Sequence, residues 1–224
     1  MIIKDFLEKF YKSIANNQLK KFLPEIEALK NVKEIEEHHP EGNTFNHIML
    51  TLKYAENNID FPTSIDVIKF GLIFHDVGKL LTPKEILPHH YGHETRGVEI
   101  VEKVCNRLNI QQFFEKVAIL SVKYHLNLRR ICDMRVGHIF DMLKDITDDF
   151  LDILMLERLF QISECDLFGR EKKPSEEQIE KLKKSKDIAY NMCRIFNYEQ
   201  LKTFSFQALT REELINYYCN KIKD

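Results

Sequence analysis

Little in this chain breaks it up. Seven glycines and six prolines are spread over 224 residues, and alternating strand-like runs are scarce. The pattern therefore reads as helical nearly throughout. The five cysteines (Cys105, Cys132, Cys165, Cys193 and Cys219) form no Cys-x-x-Cys pair, which argues against a zinc ribbon or thioredoxin motif. Dispersed thiols in odd number fit a reducing compartment, and a cytoplasmic location is expected. No apolar stretch approaches the roughly 20 residues that span a bilayer, and MIIKDFLEKF at the start lacks the apolar core of a signal peptide. A net charge of −2 gives no general pull toward nucleic acid or membrane. What is present, 44% hydrophobic and 30% charged residues, suits a globular protein.

The periodicity predicts an all-α fold. Short helices are expected at 2–15 and 18–30, then a loop, HHPEGNT, at 38–44. Asn43 or Thr44 can cap the next helix, which runs to about 57 with Phe45, Met49 and Leu52 facing a core. Pro62-Thr63-Ser64 is read as starting a largely apolar helix that runs into His75-Asp76 and stops at Gly78. A loop with two prolines covers 82–94. Helices follow at about 94–108, 111–126, 135–145 and 148–167. Ser175 with Gln178 suggests a capping box before a Lys/Glu-rich helix at 175–194, and a last helix is read from Thr210. The main domain is expected to span 1–170, with 171–224 as a helical extension packed on it.

FGLIFHDVGK, residues 70–79, sets a histidine and an aspartate side by side after an apolar run. Burying an ionised carboxylate costs several kcal/mol unless it is paired or bound to a metal. From the pair alone, a divalent ion and a simple His–Asp hydrogen bond are both open. Other misfits strengthen the ionic answer. His47 lies beside the core stripe of its helix. Asp166 continues the face Met155, Leu159, Ile162, where a carboxylate is the wrong residue for a core. His125 repeats this with Phe114, Ala118 and Ser121. Two histidines and two aspartates, His47, His75, Asp76 and Asp166, make a mixed N/O set suited to Mn, Fe, Ni, Co or Mg. Such a set leaves room for water and substrate.

His47, His75-Asp76 and Asp166 resemble the H…HD…D signature of HD-domain metal-dependent phosphohydrolases. FLPEIEALKNV (22–32), HPEGNTFNHIMLTL (39–52), FHDVGKLLTPKEILPHHYGHE (74–94) and SECDLFGR (163–170) are similar to the C-terminal HD domain of bacterial multifunctional CCA-adding tRNA nucleotidyltransferases. The resemblance covers roughly residues 20–170. It implies an all-helical HD bundle in which those four residues hold a divalent metal. It also implies 2′,3′-cyclic phosphodiesterase, 2′-nucleotidase and phosphatase activity. His93 and His125 match, by their order in the chain, residues that hold a second metal or the substrate phosphate. No Gly-rich strand–turn with a following Asp-x-Asp pair occurs in the first 40 residues, so addition of CCA is not expected. The GYP element of cyclic-di-GMP-degrading relatives is absent too. Where the branch carries a basic residue and then two histidines after the loop proline, this chain has His89, His90 and Tyr91.

The expected reaction is attack of a metal-bound water on phosphorus, with Asp76 or Asp166 accepting a proton. Lys79 is a candidate to neutralise the phosphoryl oxygens, or else a solvated residue at a helix end. Arg96, Arg129 and Arg130 are further phosphate candidates. His89 and His90 are candidates for the rim of the site, while His38 and His39 are read as structural and His138 as unremarkable. The substrates expected are phosphate esters of nucleotides or RNA ends, with tRNA and a second copy of the chain as candidate partners. The lysines of 180–187 read more simply as a solvated helix face. The Tyr and Phe residues fall at helical core spacing and do not read as a base-stacking platform. Alternatives left open are a nucleoside 5′-monophosphatase, a (p)ppGpp-type hydrolase and a non-catalytic nucleotide- or tRNA-binding module.

Overall fold

A computed structural model describes residues 1–37, 39–59, 65–203, 212, 213 and 215, with side chains described as far as 197 and at those last three positions. His38, the Pro62-Thr63-Ser64 helix start and the helix from Thr210 lie outside the described residues. Among the described residues there is no strand longer than a single antiparallel bridge, Lys33 to Asn43. The helices are α1 (Ile3–Ala15), α2 (Leu19–Phe22), α3 (Pro24–Ala28), α4 (Thr44–Asn58) and α5 (Ile65–Phe74). They continue with α6 (His93–Leu108), α7 (Gln112–Tyr124), α8 (Val136–Ile146), α9 (Ile153–Phe168) and α10 (Glu176–Thr203). No helix among the described residues is long and apolar enough to cross a membrane.

The chain divides into two compact units. The first holds Met1–His125 and Arg158–Pro174, and the second Leu126–Glu157 and Ser175–Asp224. Residues 126–157 thus group with the C-terminal segment, and α9 belongs to the second unit up to Glu157 and to the first from Arg158.

In the first unit, α5 is buried on almost every side, as its composition predicts. Phe70 and Phe74 pack with Phe6 of α1, at ring-centroid separations of 4.9 and 6.2 Å. Such tilted and edge-on contacts add to the area buried. The helix ends at Phe74, two residues short of the expected His75-Asp76, and a 3-10 turn, Val77–Leu81, takes over. Gly78 marks not the helix end but a close crossing. A Cβ there would lie 1.9 Å from the carbonyl oxygen of His93 and 2.6 Å from the nitrogen of Gly97. Only hydrogen fits between this turn and α6. Gly169 does the same for α9 and α4, since its Cβ would lie 2.5 Å from the Cα of Thr51.

Ahead of α4, the backbone pairs Thr44 N with Val32 O and Glu34 N with Gly42 O. Gly42 takes the left-handed φ of +87° that closes this loop. Asn43 then caps α4, its side chain accepting from Asn46 N at 2.9 Å.

In the second unit, Phe140, Phe150 and Phe196 form an aromatic cluster with centroids 4.8–5.2 Å apart. The Ser175–Gln178 capping box is present in both directions. The helix expected from 148 begins only at Ile153. Asp148, Asp149 and Phe150 all have positive φ, in a turn where Thr147 Oγ1 accepts from Phe150 N. Asp152 Oδ1 then accepts from Met155 N at the start of α9.

Candidate metal centre

Six side chains converge within the first unit. His47 comes from the first turn of α4, and His75 and Asp76 from the turn after α5. His93 opens α6, His125 follows α7, and Asp166 sits near the end of α9. None is more than 4% exposed.

Asp76 stands at the middle. Its Oδ2 lies 3.2 Å from His75 Nε2 and 3.8 Å from His47 Nε2. Its Oδ1 lies 3.2 Å from His93 Nε2 and 3.6 Å from His125 Nε2. Asp166 Oδ1 is 2.9 Å from His47 Nε2 and 3.8 Å from His75 Nε2. The donor atoms of His47, His75 and Asp166 lie within 4.8 Å of one another, as do those of Asp76, His93 and His125. Asp76 turns one carboxylate oxygen toward each group.

The far ring nitrogens decide what the near ones offer. His75 Nδ1 donates to Leu72 O at 2.8 Å, His93 Nδ1 to His90 O at 2.8 Å, and His125 Nδ1 to Ser121 O at 2.8 Å. His47 Nδ1 lies 3.1 Å from Glu41 Oε1, a carboxylate that can only accept when ionised. The carbonyls assign a proton to Nδ1 of His75, His93 and His125 and turn Nε2 of each toward the centre, whereas His47 lies between two carboxylates, Glu41 at Nδ1 and Asp166 at Nε2. His93 Nε2 and His125 Nε2 are 3.4 Å apart. His75 Nε2 is buried with no hydrogen-bond partner. Lys79 pairs with one oxygen of Asp76 and Arg170 with one of Asp166, and the imidazole nitrogens and other carboxylate oxygens crowded around them favour a further cation or protons. The donor set therefore fits a divalent ion, and the Nδ1 bonds are of the kind that hold ligating imidazoles in place.

Burial, taken alone, would raise the Asp76 carboxyl, but the Lys79 ammonium and then His75 hold it well below the ordinary aspartate value. Burial likewise disfavours charge on His47 and His93. Asp166 and Glu41 outweigh it for His47, and Asp76 for His93, so both are raised. His125 is lowered, burial being the largest influence. Burial acts against Glu41 as well, yet its bonds to His47 and His39 bring it down to about 2.

Lys79 is buried, not solvated. Its Nζ lies 2.9 Å from Asp76 Oδ2 and 2.8 Å from Glu34 Oε1, and Thr44 Oγ1 donates to that same Glu34 oxygen at 2.6 Å. His89 is exposed, and its ring stacks on Tyr91. His90 is half-buried, contacting Thr82 Oγ1 through Nδ1 at 2.7 Å and Lys33 O through Nε2 at 3.2 Å. Arg96 donates to Tyr91 O at 2.7 Å. Arg129 and Arg130 belong to the 3-10 turn Asn127–Asp133 of the second unit. His39 Nδ1 contacts Glu41 Oε1 at 2.9 Å, and His39, Glu41 and His47 form a third group whose donor atoms lie within 4.8 Å of one another.

Three residues at the centre were not singled out from the sequence. Glu41 ties His39 to His47, Glu34 holds Lys79, and Arg170 Nη2 donates to Asp166 Oδ1 at 3.1 Å. Two carried a signal. Glu41 sits six residues before His47, across a Gly turn, and Arg170 sits one helical turn after Asp166. Glu34 carried none, because its partner is 45 residues away.

A helical bundle that gathers four histidines and two aspartates at one buried point is of the kind that can hold a divalent metal. The HD domain family model matches residues 44–189, and the chain belongs to that family of metal-dependent phosphohydrolases. The multifunctional CCA protein of Haemophilus influenzae (strain PittGG) is 35% identical over 150 residues, covering 65% of this chain and 35% of that protein. The multifunctional CCA protein of Pasteurella multocida (strain Pm70) is 39% identical over 127 residues, covering 55% and 30%. That of Acinetobacter baumannii is 33% identical over 175 residues, covering 75% and 40%. The chain spans about a third of the length of these curated relatives.

Proposed function

We propose that this chain hydrolyses 2′,3′-cyclic and 2′-phosphate esters of nucleotides or RNA ends. The observation that carries the hydrolytic reading is the set of four imidazoles, each held through Nδ1 and each turning Nε2 toward Asp76 or Asp166. The similarity to multifunctional CCA proteins supports the substrate class.

His47, His75, Asp76 and Asp166 would hold one divalent ion, and Asp76, His93 and His125 a second. A divalent ion there supplies Lewis acidity and lowers the pKa of a coordinated water from about 15.7 toward 7. The chain's own groups do the rest. Asp76 or Asp166 supplies the acceptor oxygen that would take a proton from the nucleophile. Lys79 holds Asp76 ionised and carries positive charge at the edge of the centre. Glu34 keeps that ammonium in place. Burial of the whole set strengthens each of these interactions relative to water.

The test is hydrolysis of 2′,3′-cyclic AMP by metal-stripped protein given Mg, Mn, Ni and Co in turn, beside Asp76→Ala. Metal-dependent turnover in the parent, falling to background in the variant, is the expected result. Metal bound without turnover of any 2′,3′-cyclic or 2′-phosphate nucleotide would overturn the substrate assignment. A protein that takes up no metal would overturn the hydrolytic reading.

A further inference from the structure

The segment 87–92 departs from the expectation that the aromatic residues are all core. Tyr91 is 71% exposed, and its ring stacks on that of exposed His89 with centroids 5.2 Å apart and planes within 13°. An aromatic ring held flat in water is apolar area left uncovered. The backbone around it is anchored. His90, between the two, is fixed through Thr82 Oγ1 and the Lys33 carbonyl. The Tyr91 carbonyl accepts from Arg96. Leu87 of the same segment is 49% exposed as well.

The same segment reaches the metal centre. The carbonyl of His90 is the group that accepts from His93 Nδ1, and so aims His93 Nε2 at Asp76. Tyr91 lies two residues before His93, a backbone span of at most about 7 Å. The Tyr91 backbone therefore lies close to that of a residue at the centre.

We propose that the stacked His89–Tyr91 pair is a nucleobase subsite, on which the base of the substrate stacks while its phosphate lies at the metal centre. This rests on the phosphoesterase reading above and narrows it to substrates that carry a base. The outer face of Tyr91 takes the base, and His89 backs the tyrosine and keeps its plane. Stacking of this kind is tolerant of base identity, because every base has a π-face. The subsite thus selects nucleotides over other phosphate esters without choosing among the four bases.

The experiment compares metal-loaded parent, Tyr91→Ala, Tyr91→Phe and His89→Ala on 2′,3′-cyclic AMP and on the cyclic phosphate of methyl riboside, which has no base. Binding of 2′-AMP and of ribose phosphate is measured alongside by calorimetry. The parent is expected to favour the base-bearing ligand. Tyr91→Ala should erase about tenfold of that preference in KM and in affinity, His89→Ala a smaller part, and Tyr91→Phe almost none. An unchanged base-bearing to base-free ratio in Tyr91→Ala, at equal metal content and melting temperature, overturns the subsite. Should the parent hydrolyse neither cyclic ester, the substrate assignment fails by itself. The two binding constants then still decide the subsite.

Discussion

The helix α5 joins two buried regions with opposite needs. On its upstream side Phe70 and Phe74 meet Phe6, and Phe6 in turn meets Phe22. Just beyond its end His75 and Asp76 meet His47, His93, His125 and Asp166. Both regions are shut away from water to the same degree. The aromatic side is complete in itself, because apolar rings gain by leaving water and ask for nothing in return. The polar side needs partners for its charges: Lys79 and Arg170 supply two, and a divalent ion would supply more. Equal burial therefore marks a finished core in one place and, on the proposed reading, a binding site in the other. The difference lies wholly in the atoms.

The largest expected effect on folding comes from the aromatic side. Phe6→Ala should cost about 3–5 kcal/mol of stability. It should lower the melting temperature of metal-stripped and metal-loaded protein alike, with metal stoichiometry unchanged. A loss of bound metal in that variant would break the separation between the two regions. Asp76→Ala is its mirror image, removing metal and turnover together.

A smaller effect isolates the outer contacts of the centre. Glu41→Gln keeps the volume and the acceptor beside His47 Nδ1 but removes the charge. Metal affinity, read by competition with a coloured chelator, is expected to fall about 10–100-fold. An unchanged affinity would show that His47 does not depend on Glu41.

The mildest test is of pH. His47 and His93 are raised in the metal-free protein, because carboxylate neighbours outweigh burial. The stability this gives the metal-free fold is full below the unfolded histidine value of about 6.5. It is lost as pH rises through the raised values. A metal needs those nitrogens bare, so its binding should release protons and weaken as pH falls. Calorimetric titration in two buffers of different ionisation enthalpy checks this. Identical apparent enthalpies would count against ligation by either histidine.

Much of this was legible in the sequence, for local reasons. Asp166 on an apolar helix face and His125 on another announced themselves by period alone, and both are buried at the centre. The capping box at Ser175 and the cap at Asn43 are likewise local chemistry. What escaped was set by distant contacts or by backbone geometry. The Lys79–Glu34 pair joins residues that no short window contains. The left-handed run at 148–150 carries no glycine to signal it. Tyr91 fell in a loop, and nothing in the sequence showed that its ring lies against that of His89.

Three of the four histidines at the centre are steered by main-chain carbonyls three or four residues back in their own segments. A carbonyl is present whatever side chain its residue bears. Leu72, His90 and Ser121 can drift through mutation without releasing the proton that fixes each ring. His47 alone is steered by a side chain, Glu41. The centre is thus robust to sequence change on three sides and adjustable on one, and substitutions at position 41 are where descendants of this chain would tune how tightly they keep their metal.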